Sequence, residues 1–61
     1  MKYTVNIFKE NNQYVAECKG LNITAVGKDI DDVKRNFVRT LIIYSKKHNT
    51  FIDFAWNAID K

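Results

Sequence analysis

The change of hydrophobic period at residues 27–29 is the feature that most constrains the fold of this chain. Before it, apolar residues recur at every second position in three short segments; after it, they recur at helical spacing as far as residue 48. A period of two indicates half-buried strands, and a period near 3.6 indicates an amphipathic helix. Because the connections between the first three segments are too short for a crossover, they predict an antiparallel meander.

The first three segments predict strands at about 2–9, 14–19 and 21–26. In the segment "KYTVNIFK", Tyr3, Val5 and Ile7 share one face, and β-branched and aromatic residues favour a strand. The pair Asn11-Asn12 suits a tight hairpin turn, because asparagine tolerates the positive φ angles of such turns. The two glycines, at positions 20 and 27, are interpreted as strand ends.

The following segment predicts a helix over about 30–48. Asp29 is placed to cap its N-terminus, Asp32 follows as a weaker form of the capping-box acid, and Asn49 suits a left-handed C-cap. The apolar stripe expected to face the sheet consists of Ile30, Val33, Phe37, Leu41 and Tyr44, widened by Val38 and Ile42.

A last strand is predicted at about 51–57, where Ile52, Phe54 and Trp56 alternate with other residues. A right-handed crossover through the helix would bring this strand beside the first and parallel to it. The predicted fold is therefore α+β, in the order β-β-β-α-β, with one helix on one face of the sheet and a single domain over residues 1–61.

Composition predicts a soluble cytoplasmic protein. Cys18 is the only cysteine, so no intrachain disulfide can form and a reducing compartment is favoured. No apolar run approaches the length of a membrane span, and the alternating N-terminus lacks the apolar segment of a signal peptide. The net charge of +3 allows an acidic partner, although a charge of this size also serves solubility alone.

The residues capable of catalysis are scattered, so the sequence predicts no enzyme. Only Glu17 and Asp53 are acids within strands, and two acids without further ligands make a weak metal site. Cys18 and His48 fall on different elements, and Cys18 is expected to be a small buried side chain. We therefore expect no catalytic, metal-binding or cofactor-binding residues.

Two sets of residues are candidates for binding. The cations Lys28, Arg35, Arg39 and Lys46 fall near one side of the helix and could face an acidic protein or a phosphate backbone, although the solvated back of an amphipathic helix is the simpler interpretation. The final-strand residues Phe51, Phe54 and Trp56 could form a self-association surface and a homodimer. Alternatively, Trp56 completes the core, and the alternation alone does not say which face of the last strand points inward.

Two motifs, "YTVNIFKENNQYVAEC" and "GKDIDDVKRNFVRTLIIY", resemble the N-terminal domain of HicB-family antitoxins. The resemblance covers about residues 1–47. It implies a degraded ribonuclease-H-like fold without the catalytic acids, and a domain that masks a small RNA-cleaving toxin and associates with other copies. The DNA-binding segment that usually follows this domain has no counterpart in the sequence.

The leading hypothesis is a non-catalytic, HicB-like antitoxin or inhibitor that acts by occluding a partner protein, a small toxin or nuclease. An inhibitor of a host nuclease or defence protein, encoded by a phage or other mobile element, is the first alternative. The second is a nucleic-acid-binding protein that uses the basic helix face. The helix aromatics Phe37 and Tyr44 fall on the core stripe, which disfavours base stacking.

Overall fold

Four strands and one helix follow one another in the predicted order in the computed structural model, which describes residues 2–58. They are β1 (Lys2–Glu10), β2 (Gln13–Cys18), β3 (Ile23–Gly27), α1 (Ile30–His48) and β4 (Asp53–Ala58). The predicted domain range extends further at both ends, and residues 1 and 59–61 lie outside the described part. No helix within residues 2–58 is both long and apolar enough to cross a membrane.

The strands form one mixed sheet in the order β3-β2-β1-β4. The first three strands are antiparallel neighbours, and β4 lies beside β1 and parallel to it, which confirms the predicted α+β fold. The register places Tyr3 opposite Phe54 and Val5 opposite Trp56. Since residues opposite each other share a face, these two β4 aromatics lie on the same side of the sheet as the core residues of β1.

The turns explain where the strands begin and end. Asn11 and Asn12 both have positive φ angles, 51° and 67°, as the tight hairpin turn requires. The third strand begins at Ile23, two residues later than predicted, because Leu21 and Asn22 belong to a turn. In that turn the Leu21 N–H donates to the Cys18 carbonyl, and Asn22 takes a φ of 56°. The last strand likewise begins two residues later than predicted, at residue 53.

The core lies between α1 and one face of the sheet, and all four strands contribute side chains to it from that face. Its buried members are Val5, Ile7, Ala16, Cys18, Ile23, Ala25, Val33, Phe37 and Leu41. Tyr3, Tyr14, Leu21, Tyr44, Ile52, Phe54 and Trp56 pack around them, partly buried.

Both ends of α1 are capped as the sequence predicts. The Asp29 carboxylate accepts a hydrogen bond from the Asp32 N–H at 2.7 Å, and the Asp32 carboxylate accepts one from the Lys28 N–H at 3.0 Å. At the other end Asn49 is left-handed, with a φ of 50°, and its N–H reaches the carbonyls of the last turn. The helix accordingly spans the predicted residues 30–48.

The buried stripe of α1 is narrower than predicted. Val33, Phe37 and Leu41 face the sheet, whereas Ile30 and Ile42 are exposed. At 100° per residue, Ile42 lies about 140° around the helix from Phe37, which carries it beyond the reach of the sheet. Ile30 lies on the same side as Phe37 but is the first residue of the helix, so both Ile30 and Ile42 were wrongly predicted to be buried.

The helix also contacts the edge of β3 directly. The Asn36 side-chain amide donates to the Val26 carbonyl at 2.8 Å. At the end of the same strand, a Cβ built on Gly27 would lie 2.4 Å from the Val33 nitrogen. The absence of a side chain at Gly27 is thus what lets the first turn of α1 approach β3 so closely.

Candidate protein-binding surfaces

The outer face of α1 carries cations and apolar side chains together. We define the outer band as Arg35, Arg39, Ile42, Ile43 and Lys46. By helical geometry these residues occupy about 100° of arc opposite Phe37, with the cations in the middle and one isoleucine on each side. All five are exposed, Ile42 by 48% and Ile43 by 63%. The band therefore presents two apolar side chains beside three cations.

The structure brings three of the four predicted helix cations together on this band. Arg35, Arg39 and Lys46 are one or more helical turns apart on the same side, and Asp31 lies one turn before Arg35 at the edge of the band. Lys28 is exposed as well but precedes the helix, and its backbone N–H donates to the carboxylate of Asp32 in the first turn. Lys28 therefore stands at the start of the helix, apart from the band.

The sequence reasoning missed the isoleucines of the band. Ile42 was assigned to the core stripe, and Ile43 to no surface. The signal was present, since Leu41 fixes the inward direction and its two neighbours must then lie about 100° and 200° away from it. Adjacent isoleucines after a core leucine cannot both reach the sheet.

The final-strand aromatics lie in two different environments. Phe54 and Trp56 point toward the helix side, where their ring centroids lie 6.0 Å and 5.7 Å from that of Phe37. The Lys34 ammonium lies 5.4 Å from the centroid of the Trp56 ring and covers part of it. Trp56 thus helps to complete the core, the second of the two interpretations left open by the alternation.

Phe51 lies outside that cluster and is 88% exposed. It belongs to the connection between α1 and β4, which is held where the Ser45 hydroxyl donates to the Thr50 carbonyl. Of the three predicted self-association residues, Phe51 is therefore the one whose side chain is free for a second copy. Self-association through the final strand stays a prediction.

The face of the sheet opposite the helix, which we call the open face, also carries apolar residues. Phe8, Val15 and Val26 lie in one row across β1, β2 and β3. Val15 is only 7% exposed because its neighbours in the row flank it, whereas Val26 is 47% exposed. A polar pair lies further along this face, where the Asn57 side-chain amide donates to the Asn6 side-chain carbonyl at 2.9 Å.

The two strand acids considered for metal binding are far apart. Glu17 and Asp53 both lie on the open face, but Glu17 is opposite Asn6 and Asp53 opposite Lys2, on either side of β1. Strand spacing and rise place them roughly 16 Å from each other. Within residues 2–58, no three His, Cys, Asp or Glu side chains gather in a group that could hold a metal ion.

The two candidate nucleophilic residues, Cys18 and His48, each pack against other side chains of the fold. Cys18 is fully buried in the core cluster under the helix. His48 stacks on Tyr44 in the last turn of α1, with ring centroids 4.2 Å apart.

Comparison of the chain with protein-family models, curated proteins and solved structures found no match.

Proposed function

We propose that this chain is a non-catalytic protein-binding module of HicB-like type, which inhibits a partner protein by covering its active surface. The observation that carries the proposal is the outer band of α1, where two exposed isoleucines flank three cations. Exposed apolar side chains within a polar surround are characteristic of association surfaces. The opposite side of the helix packs against the sheet, and the band faces away from it, where a partner can contact it.

The chemistry of the band indicates the kind of partner. Arg35 and Arg39 can each form two parallel hydrogen bonds to a carboxylate, and arginine is among the residues that contribute most at protein interfaces. The isoleucines would bury apolar surface against a matching patch. The partner surface that fits is therefore acidic in its centre, with apolar groups on either side.

Two specific forms of this function share the same surface. One is a HicB-like antitoxin that masks a small RNA-cleaving toxin in the cytoplasm. The other is an inhibitor of a host nuclease or defence protein, encoded by a mobile element. Both act by occlusion and differ in the identity of the partner.

Nucleic-acid binding through the same band is the rival from a different class. The exposed aromatic that base stacking needs is missing from the band, whose apolar members are aliphatic. Aliphatic side chains are more useful against an apolar protein patch than against a phosphate backbone. Protein binding is therefore the interpretation we favour.

The test begins with capture of partners from a lysate and continues with one purified partner. Calorimetry should then compare the wild-type chain with Arg39→Glu, Ile43→Glu and the control Thr24→Ala, which lies on the open face. We expect the two band variants to weaken binding at least tenfold, about 1.4 kcal/mol, and the control to leave it unchanged. The partner's activity should fall as the chain is added to a stoichiometric amount.

Two results would contradict the proposal. One is a partner protein that binds both band variants as tightly as the wild type. The other is binding of an RNA hairpin or DNA duplex, followed by fluorescence anisotropy, with an affinity that falls steeply with salt and is lost in Arg39→Glu. The second result would establish the nucleic-acid alternative.

A further inference from the structure

The two free faces of the molecule carry opposite charge. Strand alternation places Glu10, Glu17 and Asp53 on the open face together with Lys2, three carboxylates against one ammonium. The outer band carries three cations, and the acids of α1 nearest to it, Asp31 and Asp32, lie in the first turn of the helix, away from Arg39 and Lys46. Because α1 covers the other side of the sheet, the acidic face and the basic band point in opposite directions.

Each face also has an exposed apolar part. The row formed by Phe8, Val15 and Val26 crosses three strands of the open face, and Val26 keeps 47% of its surface exposed. Ile42 and Ile43 are the corresponding groups of the outer band. Apolar groups beside charges of opposite sign are what two specifically associating surfaces share.

We propose that copies of this chain associate head to tail, with the outer band of one copy docked on the open face of the next. The acidic partner surface is then, in part, a second copy of the chain. This inference rests on the proposed function, in that it treats the outer band as a protein-binding surface. It differs from a dimer through the final strand, because Phe51 takes no part in it.

The two surfaces are different, so the contact is heterologous. Each copy that joins leaves one band and one open face free at the ends of the assembly. Such contacts continue into a ring or an open chain and do not stop at a symmetric dimer.

The contact is expected to be weak. Four strands make the open face about 19 Å wide, and the 19-residue helix is about 28 Å long. A single helix on a sheet of this size falls at the small end of protein interfaces, where association is transient. Since exposed charges contribute much of the attraction, salt should weaken it further.

The experiment is sedimentation equilibrium of the purified chain from about 10 µM to about 1 mM, at low and high salt. We expect a mean mass that rises with concentration past that of a dimer, and falls with salt. Glu17→Lys on the open face and Arg39→Glu on the band should each remove association. An equimolar mixture of the two variants should associate again, because the intact band of one fits the intact open face of the other.

Thermal melting followed by circular dichroism should show that both variants have the melting temperature of the wild type. If Glu17→Lys, at a half-buried position, does not, Glu10→Lys at an exposed position of the same face takes its place. The inference is overturned if the wild-type chain stays monomeric. It is also overturned if the mass saturates at that of a dimer which Phe51→Ser dissociates. A mixture of the two variants that remains monomeric while the wild type associates overturns it as well.

Failure of this inference is separable from failure of the proposed function. Glu17→Lys leaves the outer band intact, so a separate partner protein should still bind it. Partner binding without self-association would overturn the inference and retain the function. Self-association without any bound partner protein would retain the inference and contradict the function.

Discussion

Replacing Gly27 with alanine tests the closest approach in the fold, that between the end of β3 and the first turn of α1. The added Cβ would lie 2.4 Å from the Val33 nitrogen, 2.7 Å from its Cα and 2.9 Å from the Asp32 carbonyl carbon. All three atoms belong to the backbone, so no side chain can rotate away. The helix start must move by about 1 Å to restore van der Waals contact.

That movement affects two groups that stabilise the helix start. Val33 is fully buried, and its N–H donates to the Asp29 carbonyl at 3.0 Å as the first bond of the helix. Overpacking a core typically costs about 1–3 kcal/mol, and a weakened N-cap costs about 1 kcal/mol. Alanine also lowers the entropy of the unfolded chain, which offsets somewhat less than 1 kcal/mol. The expected net loss in the free energy of unfolding is about 2–3 kcal/mol.

A loss of this size is large for a chain of 61 residues, whose total stability is expected at about 3–9 kcal/mol. Urea denaturation should show the midpoint lowered by about 2 M or more, and thermal melting should fall by about 10–20 °C. Gly20→Ala is the matched control. Its Cβ would lie 2.7 Å from the ring of Tyr3, a partly buried side chain and not backbone, so we expect a smaller loss than at Gly27.

The reasoning would be refuted if Gly27→Ala and Gly20→Ala had the same midpoint, or if Gly27→Ala matched the wild type. A Gly27→Ala variant as stable as the wild type would mean that β3 and α1 separate at little cost. A crystal structure of the alanine variant would then have to show the helix displaced without loss of the Asp29 cap.

Two further changes test the local geometry. Asp29→Ala removes the side chain that accepts from the Asp32 N–H, and urea denaturation should show the free energy of unfolding lowered by about 1 kcal/mol. The control Asp31→Ala should lower it clearly less. Equal losses in the two variants would contradict a capping role for Asp29. Asn12→Gly places glycine at a φ of 67° in the hairpin turn, so it should leave the free energy of unfolding unchanged or raise it by a few tenths of a kcal/mol. A loss above about 1 kcal/mol would contradict the turn geometry.

The helix could be predicted to the residue because both of its ends are specified locally. The Asp29 carboxylate accepts from the Asp32 N–H three residues away, and Asn49 takes the left-handed conformation that ends a helix. Such signals act over one turn and need no knowledge of the rest of the fold. The hairpin turn at Asn11-Asn12 could be predicted for the same reason.

Properties that depend on distant contacts were harder to predict. The inward face of β4 is decided by its parallel register with β1, which aligns Trp56 with Val5, and alternation within β4 carries no information about that register. The exposure of Ile42 depends on how much sheet lies beneath α1. The cations of the outer band could be predicted from helical spacing, whereas its isoleucines needed the position of the helix on the sheet.

The pairing of β4 with β1 has a consequence for the order of folding. Lys2 is opposite Asp53, so this contact closes a loop of about fifty residues, while the β1–β2 hairpin closes across a two-residue turn. The hairpin can therefore form early and α1 can form locally, but the central strand gains its second neighbour only when the two ends of the described chain meet. Amide exchange along β4 should accordingly be faster than along β2, and the aromatic cluster around Phe37 should be the last part of the core to become rigid.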